Sequence, residues 1–343
     1  MRIFLALVVI LWGVVYFGRG EYYWELAMSF LPYWMVVFFI GLLISIFSFF
    51  KVASDKFFST IEFWIMLWFI GLFWWFLAQF LHFYGLESRN PHQTDNPVRV
   101  IYSNLYKENS EYQEIYEIIK DKKSDLILFV EYSQHHQDNL WKMLEKEYPY
   151  KIMNMSVKGQ IWSAIFSKYP LRNVSKTFEK GERGYLHVQM TRWDNVYQLY
   201  LIHTTSPTSL SHFQRRNVHL NSLAEDLSKT YHSQTREKVL VIWDFNVSPW
   251  SIYYQQFAQK VDGILRNTTA RFPFMMTRSA SRLLKMEKEL PTLSARLKRI
   301  LAFALPIESH IDHVFISPKV AVDGIQTVQL PGSDHKGYSF DMQ

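Results

Sequence analysis

Two stretches of 21 residues, 30–50 and 63–83, contain no Asp, Glu, Lys or Arg. Roughly 20 apolar residues are what a helix needs to cross a bilayer core. Two uncharged runs of that length argue against a buried soluble core and for a membrane module. Tyr33, Trp34, Trp64 and Trp68 stand near their ends, where amphipathic rings suit the membrane interface. Pro32 fits the first turn of a helix better than its interior. A shorter apolar run, 3–17, is flanked by Arg2 and Arg19. Its length and basic start would suit a cleaved signal peptide. No small-x-small cleavage site follows, so it reads as a third, short spanning helix. The module thus covers 1–83. With the N-terminus inside, Arg2, Lys51 and Lys56 fall on the inner side, and Arg19 and Arg89 on the outer side. That one-charge bias places the rest of the chain outside the cytoplasm. Residues 84–97, with Gly85, Pro91 and Pro97, form a polar linker.

The remainder, 98–343, has an ordinary soluble composition and carries all of the net charge of +6. A basic surface suits a polyanion, either nucleic acid or anionic lipid, though it also serves plain solubility. The absence of cysteine excludes disulfides, thiolate metal sites and a thiol nucleophile. Apolar runs at 98–102, 125–130, 162–166, 185–190, 197–203, 239–242 and 311–316 read as strands. Stretches 111–120, 137–147 and 213–230 carry helical spacing. Strands interleaved with single helices indicate a layered α/β domain.

The chemistry gathers at the strand ends. Asn104 follows the first strand, Glu131 ends the second and His203 ends the strand at 197–203. Asp244 and Asn246 follow 239–242, Asp312 opens 311–316, and Asp334 and His335 follow a Pro-Gly loop. A carboxylate at the end of a buried strand is costly unless it is paired or bound to a cation. Alone, Glu131 or Asp312 would suit an ordinary ion pair, and His203 a half-buried core position. Together, the segments imply one shared rim. His135 and His136 read as a solvated loop pair. His310 and His313 make a poor zinc pair, because positions i and i+3 of a strand face opposite ways.

Ser103-Asn104, Phe129-Val-Glu131, Ile165 to Pro170, Ile202-His203, Trp243-Asp-Phe-Asn246, Ile311-Asp-His-Val314 and Gly332-Ser-Asp-His-Lys336 occur in that order. This set resembles the endonuclease/exonuclease/phosphatase family, which includes DNase I-like nucleases, bacterial sphingomyelinases and inositol polyphosphate 5-phosphatases. Trp250-Ser251 and the Ile-Asp-His-Val form are similar to its bacterial membrane-bound branch. The resemblance spans 98–343 and implies a four-layer α/β/β/α sandwich, here preceded by about three transmembrane helices in an inner or plasma membrane. It implies a Mg²⁺-dependent phosphodiesterase, with Mn²⁺ as a substitute ion, acting on nucleic acid. A phospholipid or inositol-phosphate hydrolase is the alternative, and a non-catalytic polyanion-binding protein a second one. By resemblance, Asn104, Glu131 and Asp334 belong to the metal site. Asp244 orients or deprotonates water, and Asn246 and His203 touch the phosphate. His335 acts on the phosphate, paired with Asp312. Oxygen ligands of this kind suit Mg²⁺.

Two positions depart from the family pattern. Trp243 replaces the usual Gly, where a bulky side chain would crowd the backbone close to the metal or reshape the pocket wall, and His310 stands where nuclease-like members often carry Arg. The stretch 263–306 interleaves Arg266, Arg271, Arg278, Arg282, Lys285, Arg296, Lys298 and Arg299 with apolar residues. That mixture suits a phosphate-backbone groove, an amphipathic segment on an anionic membrane, or a plain surface helix pair.

Overall fold

In the computed structural model, the described residues are 18, 20–52, 61–83, 96–155, 162–174, 185–231, 237–270, 275–279 and 308–343. The run 3–17, nearly all of the linker and most of 263–306 lie outside them. The chain divides into two compact units, one comprising Met1–Leu86 with Pro249–Gln255 and the other the rest.

In the first unit, helix α1 (Tyr22–Met28) is followed by α2 (Leu31–Val52) and α3 (Ile61–Phe83). Within α3, Phe63–Leu81 is long and apolar enough to cross a membrane. The pair Tyr22–Met28 and Leu31–Phe47, bent by 74°, passes the same test if taken as one span. Pro32 sits in the first turn of α2, where its missing N–H costs nothing. The two long helices meet through aromatic rings, with Phe38 stacked on Phe76 at 5.0 Å. Gly41 leaves room for the Phe69 ring, which a Cβ there would strike. Val36, Ile44, Phe47 and Trp74 remain more than half exposed. A soluble surface rarely carries apolar side chains in that density.

The second unit is two six-stranded sheets. The first contains β1 (Val98–Asn104), β2 (Leu126–Tyr132), β3 (Tyr150–Met155), β4 (Trp162–Ser167), β13 (Val322–Gln329) and β14 (Lys336–Met342), in the order β13-β14-β1-β2-β4-β3. The second contains β5 (Leu171–Asn173), β6 (Tyr185–Arg192), β7 (Asn195–His203), β8 (Lys238–Asp244), β9 (Arg266–Asn267) and β12 (Asp312–Ile316), in the order β5-β6-β7-β8-β12-β9. Strand alternation sorts the side chains. Val100, Tyr102, Leu126, Leu128, Leu199, Leu201, Leu240, Ile242 and Val314 fill one core shared by both sheets. Ile101, Ile127 and Phe129 face the other way. They pack on Ile115 and Ile119 of α4 (Tyr112–Asp121) and on Leu140 and Leu144 of α5 (Gln134–Leu144). Behind the second sheet lie α6 (Leu210–Thr230) and α7 (Ile252–Lys260). Tyr185 donates to Asp226 of α6 at 2.8 Å. Phe257 of α7 packs edge-on to Phe315 at 5.4 Å. The order helices, sheet, sheet, helices is the expected four-layer sandwich.

Sequence reading missed α7 and the strands β3, β5, β9, β13 and β14, and the close approach of β14 to β1 has a signature only in hindsight. Gly337 follows the Asp-His-Lys run, and a Cβ there would collide with the Tyr102 carbonyl. His136 corrects an expectation outright, since it is buried rather than solvated. Its Nδ1 accepts the Ser133 N–H at 3.0 Å at the start of α5 and lies 2.8 Å from the Ser133 hydroxyl. Burial, with a smaller push from His135, lowers its pKa to about 4. The folded state therefore holds the ring neutral, so the stability it contributes is whole above the unfolded pKa near 6.5. That stability is lost as pH falls from there towards 4, a cost of about 3 kcal/mol. We expect His136→Gln to flatten the acid limb of the melting temperature between pH 7 and 4.5. An unchanged limb would exclude His136 as a titrating group.

Candidate active site

Parallel pairing brings strand C-termini together, and antiparallel pairing adds N-termini to the same edge. In the first sheet β1 and β2 run parallel, with Asn104 opposite Val130, next to Glu131. In the second, β7 and β8 run parallel with His203 opposite Asp244, and β12 runs antiparallel with Asp312 opposite the same Asp244. Antiparallel β14 begins just after His335, on the edge where β1 ends. One rim results, and the hydrogen bonds below join residues from both sheets across it.

Asn104 is its hub. Its Nδ2 donates to Glu131 Oε1 at 3.2 Å and to Asp244 Oδ2 at 3.0 Å. Its Oδ1 accepts the Tyr106 N–H at 3.0 Å. Glu131 accepts the Lys107 N–H at 3.3 Å. Its backbone sits at φ 53°, in the left-handed region, where the pairing of β2 with β4 slips between Phe129 and Tyr132. A non-glycine residue there carries about 1–2 kcal/mol of strain, and the slip turns this carboxylate into the rim. His203 Nε2 lies 3.5 Å from Glu131 and 3.6 Å from Asp244. Asn246, also left-handed at φ 49°, donates its backbone N–H to Asp244 Oδ1 at 3.0 Å and its Nδ2 to the Thr204 carbonyl at 3.2 Å. The buried Arg216 of α6 holds the Asn246 carbonyl at 2.8 Å.

On the other side, His335 Nδ1 meets Asp312 Oδ2 at 3.0 Å and its Nε2 faces Asp244 at 3.9 Å. Tyr102 donates to Asp312 Oδ1 at 2.6 Å, and Tyr338 to the Asp312 carbonyl at 2.8 Å. Burial lowers the His335 pKa, but Asp312 and then Asp244 outweigh it and hold the pKa at about 10. The two carboxylates thus favour the imidazolium, whose Nδ1–H donates to Asp312 while Nε2 makes no hydrogen bond to Asp244 at 3.9 Å. Burial, reinforced by Asp312, pushes Asp244 up to about 7 despite His335. Asp334 ends beside the Arg278 guanidinium at 3.5 Å. It is also tied to the rim through its neighbour Ser333, which donates to the Asn104 carbonyl at 2.7 Å.

The site residues expected from sequence therefore share one rim. Tyr102, Thr204 and Arg216 join them and were missed, and Arg278, named only among the basic residues of 263–306, joins them too. Trp243 is the reverse case, because it does not crowd the pocket. Alternation turns it away from Asp244 into the helical layer, against Phe245 at 3.7 Å and Phe257 at 5.3 Å. His310 and His313 also differ from expectation. His310 precedes the strand, so the two rings stack at 4.6 Å instead of pointing apart. Burial keeps both uncharged, with His310 at about 3.

Asp244, Asp312 and His335 bring potential ligand atoms within 4.8 Å of one another. Both Asp312 oxygens are already taken, by Tyr102 and His335, which leaves Asp312 and His335 a hydrogen-bonded pair with Asp244 3.9 Å from the ring. The better fit for a cation is on the Glu131 side. Three carboxylates share the rim, Glu131 and Asp244 joined through Asn104 and Asp312 joined to them through His335, and burial with repulsion from Asp312 already pushes Asp244 towards protonation. Glu131 is more open than Asp244, Asp312 or Asp334, its side chain 21% accessible. An oxygen-only donor set with surplus negative charge fits a hard divalent ion such as Mg²⁺.

A sequence profile of the Endonuclease/Exonuclease/phosphatase family matches residues 101–335. No curated protein matches the sequence. Solved structures share the fold. TDP2 of D. rerio, complexed with single-strand DNA product, superposes with a TM-score of 0.53 at 13% identity, covering 73% of this chain and 100% of that one. The beta toxin of Staphylococcus aureus gives 0.50 at 15% identity, covering 71% of this chain and 99% of its own. A Bacteroides thetaiotaomicron endonuclease/exonuclease/phosphatase family protein gives 0.50 at 17%, with 73% and 98% covered.

Proposed function

This chain belongs to the endonuclease/exonuclease/phosphatase family, a family of metal-dependent phosphoric ester hydrolases, and from that membership we propose a membrane-anchored, Mg²⁺-dependent phosphodiesterase that cleaves nucleic-acid strands. The observation that carries the reading is the convergence of Asn104, Glu131, His203, Asp244, Asn246, Asp312 and His335 on one rim, tied by direct contacts of 2.6–3.9 Å. A module at 1–83 anchors the chain, and a linker at 84–97 leads to a catalytic domain at 98–343 outside the cytoplasm, on an inner or plasma membrane.

Glu131 would hold the ion through its carboxylate oxygens, with Asn104 steadying it, and Asp334 is the further carboxylate that the family resemblance adds to the metal site. When bound, Mg²⁺ or Mn²⁺ would neutralise phosphoryl charge and acidify water. Asp244, fixed by Asn104 and the Asn246 N–H, orients the attacking water and accepts its proton at Oδ2. His203 and Asn246 donate to the phosphate oxygens. His335, oriented by Asp312 through Nδ1, offers its Nε2–H to the charge that develops on the phosphate or leaving oxygen.

A second reading, hydrolysis of a phospholipid or inositol phosphate, is favoured by the apolar helix at Phe63–Leu81. One experiment separates the two. Full-length protein in micelles is offered supercoiled plasmid and anionic-lipid vesicles, with Mg²⁺ or Mn²⁺ and with EDTA. We expect metal-dependent nicking that EDTA abolishes. Headgroup release with intact plasmid would transfer the site to lipid. Neither activity would leave a polyanion-binding protein.

A further inference from the structure

A basic residue beside Asp334 comes from a part of the sequence that no motif covers. The short strand β10 (Arg278–Ser279) pairs with β11 (Glu308–Ser309), and Arg278 also forms a β-bridge with His335. On one flank Thr277 donates its N–H to the Ser309 carbonyl at 3.0 Å, and its hydroxyl accepts the Asp312 N–H at 3.2 Å. On the other, the Ser279 N–H donates to the Asp334 carbonyl at 3.0 Å. The backbone of Arg278 is thus fastened between the two segments that carry Asp312 and His335.

Thr277 and Ser279 are buried on either side of it, while the Arg278 side chain stays about one third accessible. Its described ion pair is a single Nε contact of 3.5 Å to Asp334. A guanidinium carries five N–H donors in a planar fork suited to two phosphate oxygens, so most of this fork is left for another anion. Lys336 is another cation close by in sequence, directly after Asp334-His335. It is occupied instead, with Nζ 2.7 and 2.8 Å from the two carboxylate oxygens of Glu308.

We propose that Arg278 binds the non-bridging oxygens of the substrate phosphate, making it a substrate-binding residue of this rim. The inference rests on the phosphodiesterase reading above and narrows it to substrates with an anionic phosphate at the scissile position. Arg278 adds its charge to that of His335 against carboxylate repulsion of that phosphate. Asp334 holds the fork in place until the phosphate arrives.

The test compares full-length wild type, Arg278→Ala and Arg278→Lys. Two substrates are used, an oligonucleotide diester and the same strand with neutral methylphosphonate linkages. Loss of a charge-assisted hydrogen bond should cost roughly 10- to 100-fold in kcat/KM on the diester, mainly through KM. Arg278→Lys should fall between. The penalty for the neutral linkage should shrink in Arg278→Ala, because the group that senses the charge is gone; a purely structural role would leave that penalty unchanged. Affinity for inorganic phosphate, read by titration calorimetry, should weaken at least tenfold in Arg278→Ala. An Arg278→Ala enzyme within about twofold of wild type on the diester, with unchanged phosphate affinity, overturns the proposal. An inactive wild type would instead strike the phosphodiesterase reading, and phosphate affinity would then still decide for or against Arg278.

Discussion

Glu131→Gln is expected to lower phosphodiesterase activity about a thousandfold while moving the melting temperature by only a few degrees. The metal's charge stabilisation is worth several kcal/mol in the transition state, and each 1.36 kcal/mol is tenfold in rate. Gln has the same shape and keeps one acceptor for Asn104 or Lys107, so at most one modest hydrogen bond is lost. Glu131→Gly sharpens the test. The residue sits at φ 53°, where Gly is free of the left-handed penalty that Glu bears. This variant should be as inactive as Glu131→Gln yet melt no lower than wild type. Such a pairing of strain with activity is the mark of a residue held in place for function. Calorimetric titration with Mg²⁺ or Mn²⁺ should show weakened affinity in both variants. Activity within tenfold of wild type in Glu131→Gln would remove Glu131 from the metal site.

The rim was legible in the sequence because its signal is local. A polar residue that ends an apolar strand needs a partner, and Asn104, Glu131, His203, Asp244 and Asp312 each sit at such an end. What supports them was not legible, because its partners are distant in the chain. Tyr102 lies in an apolar strand and reads as core, and it is core, but its hydroxyl binds Asp312 across 210 positions. Arg278 is one of nine basic residues in an aperiodic stretch, and its pairing with His335 is invisible in the sequence. The strand β13 was missed because its burial does not alternate cleanly and its register shifts between Asp323 and Gln326. His136 was misread because a lone pair of histidines after Ser133-Gln134 looks solvated. Its burial follows from the Ser133 N–H that it caps. Trp243 was judged by the residue it replaces, when the alternation of its own strand already turned it away from Asp244.

The second large effect concerns the pair at the other side of the rim. His335→Ala is expected to cost about 10³-fold in kcat, within the range for a positioned acid. Asp312→Asn should cost nearly as much, although Asp312 touches no substrate. Its two oxygens accept from Tyr102 at 2.6 Å and His335 Nδ1 at 3.0 Å. An amide in its place must point N–H at one of those two donors. It also removes the largest of the charges that keep the imidazole protonated against burial. The imidazole then loses both its orientation and its second proton. Because the two residues act as one unit, their losses should not multiply. The double variant Asp312→Asn/His335→Ala should be less than tenfold worse than His335→Ala alone. Independent roles would predict a further factor of several hundred. Tyr102→Phe gives a finer reading of the same array. It leaves both charges and the imidazole contact intact but frees one Asp312 oxygen, so it should lower kcat by about tenfold with KM unchanged. A multiplicative double variant would mean that Asp312 serves the fold of the rim rather than His335, and the buried array would then be a structural ion pair.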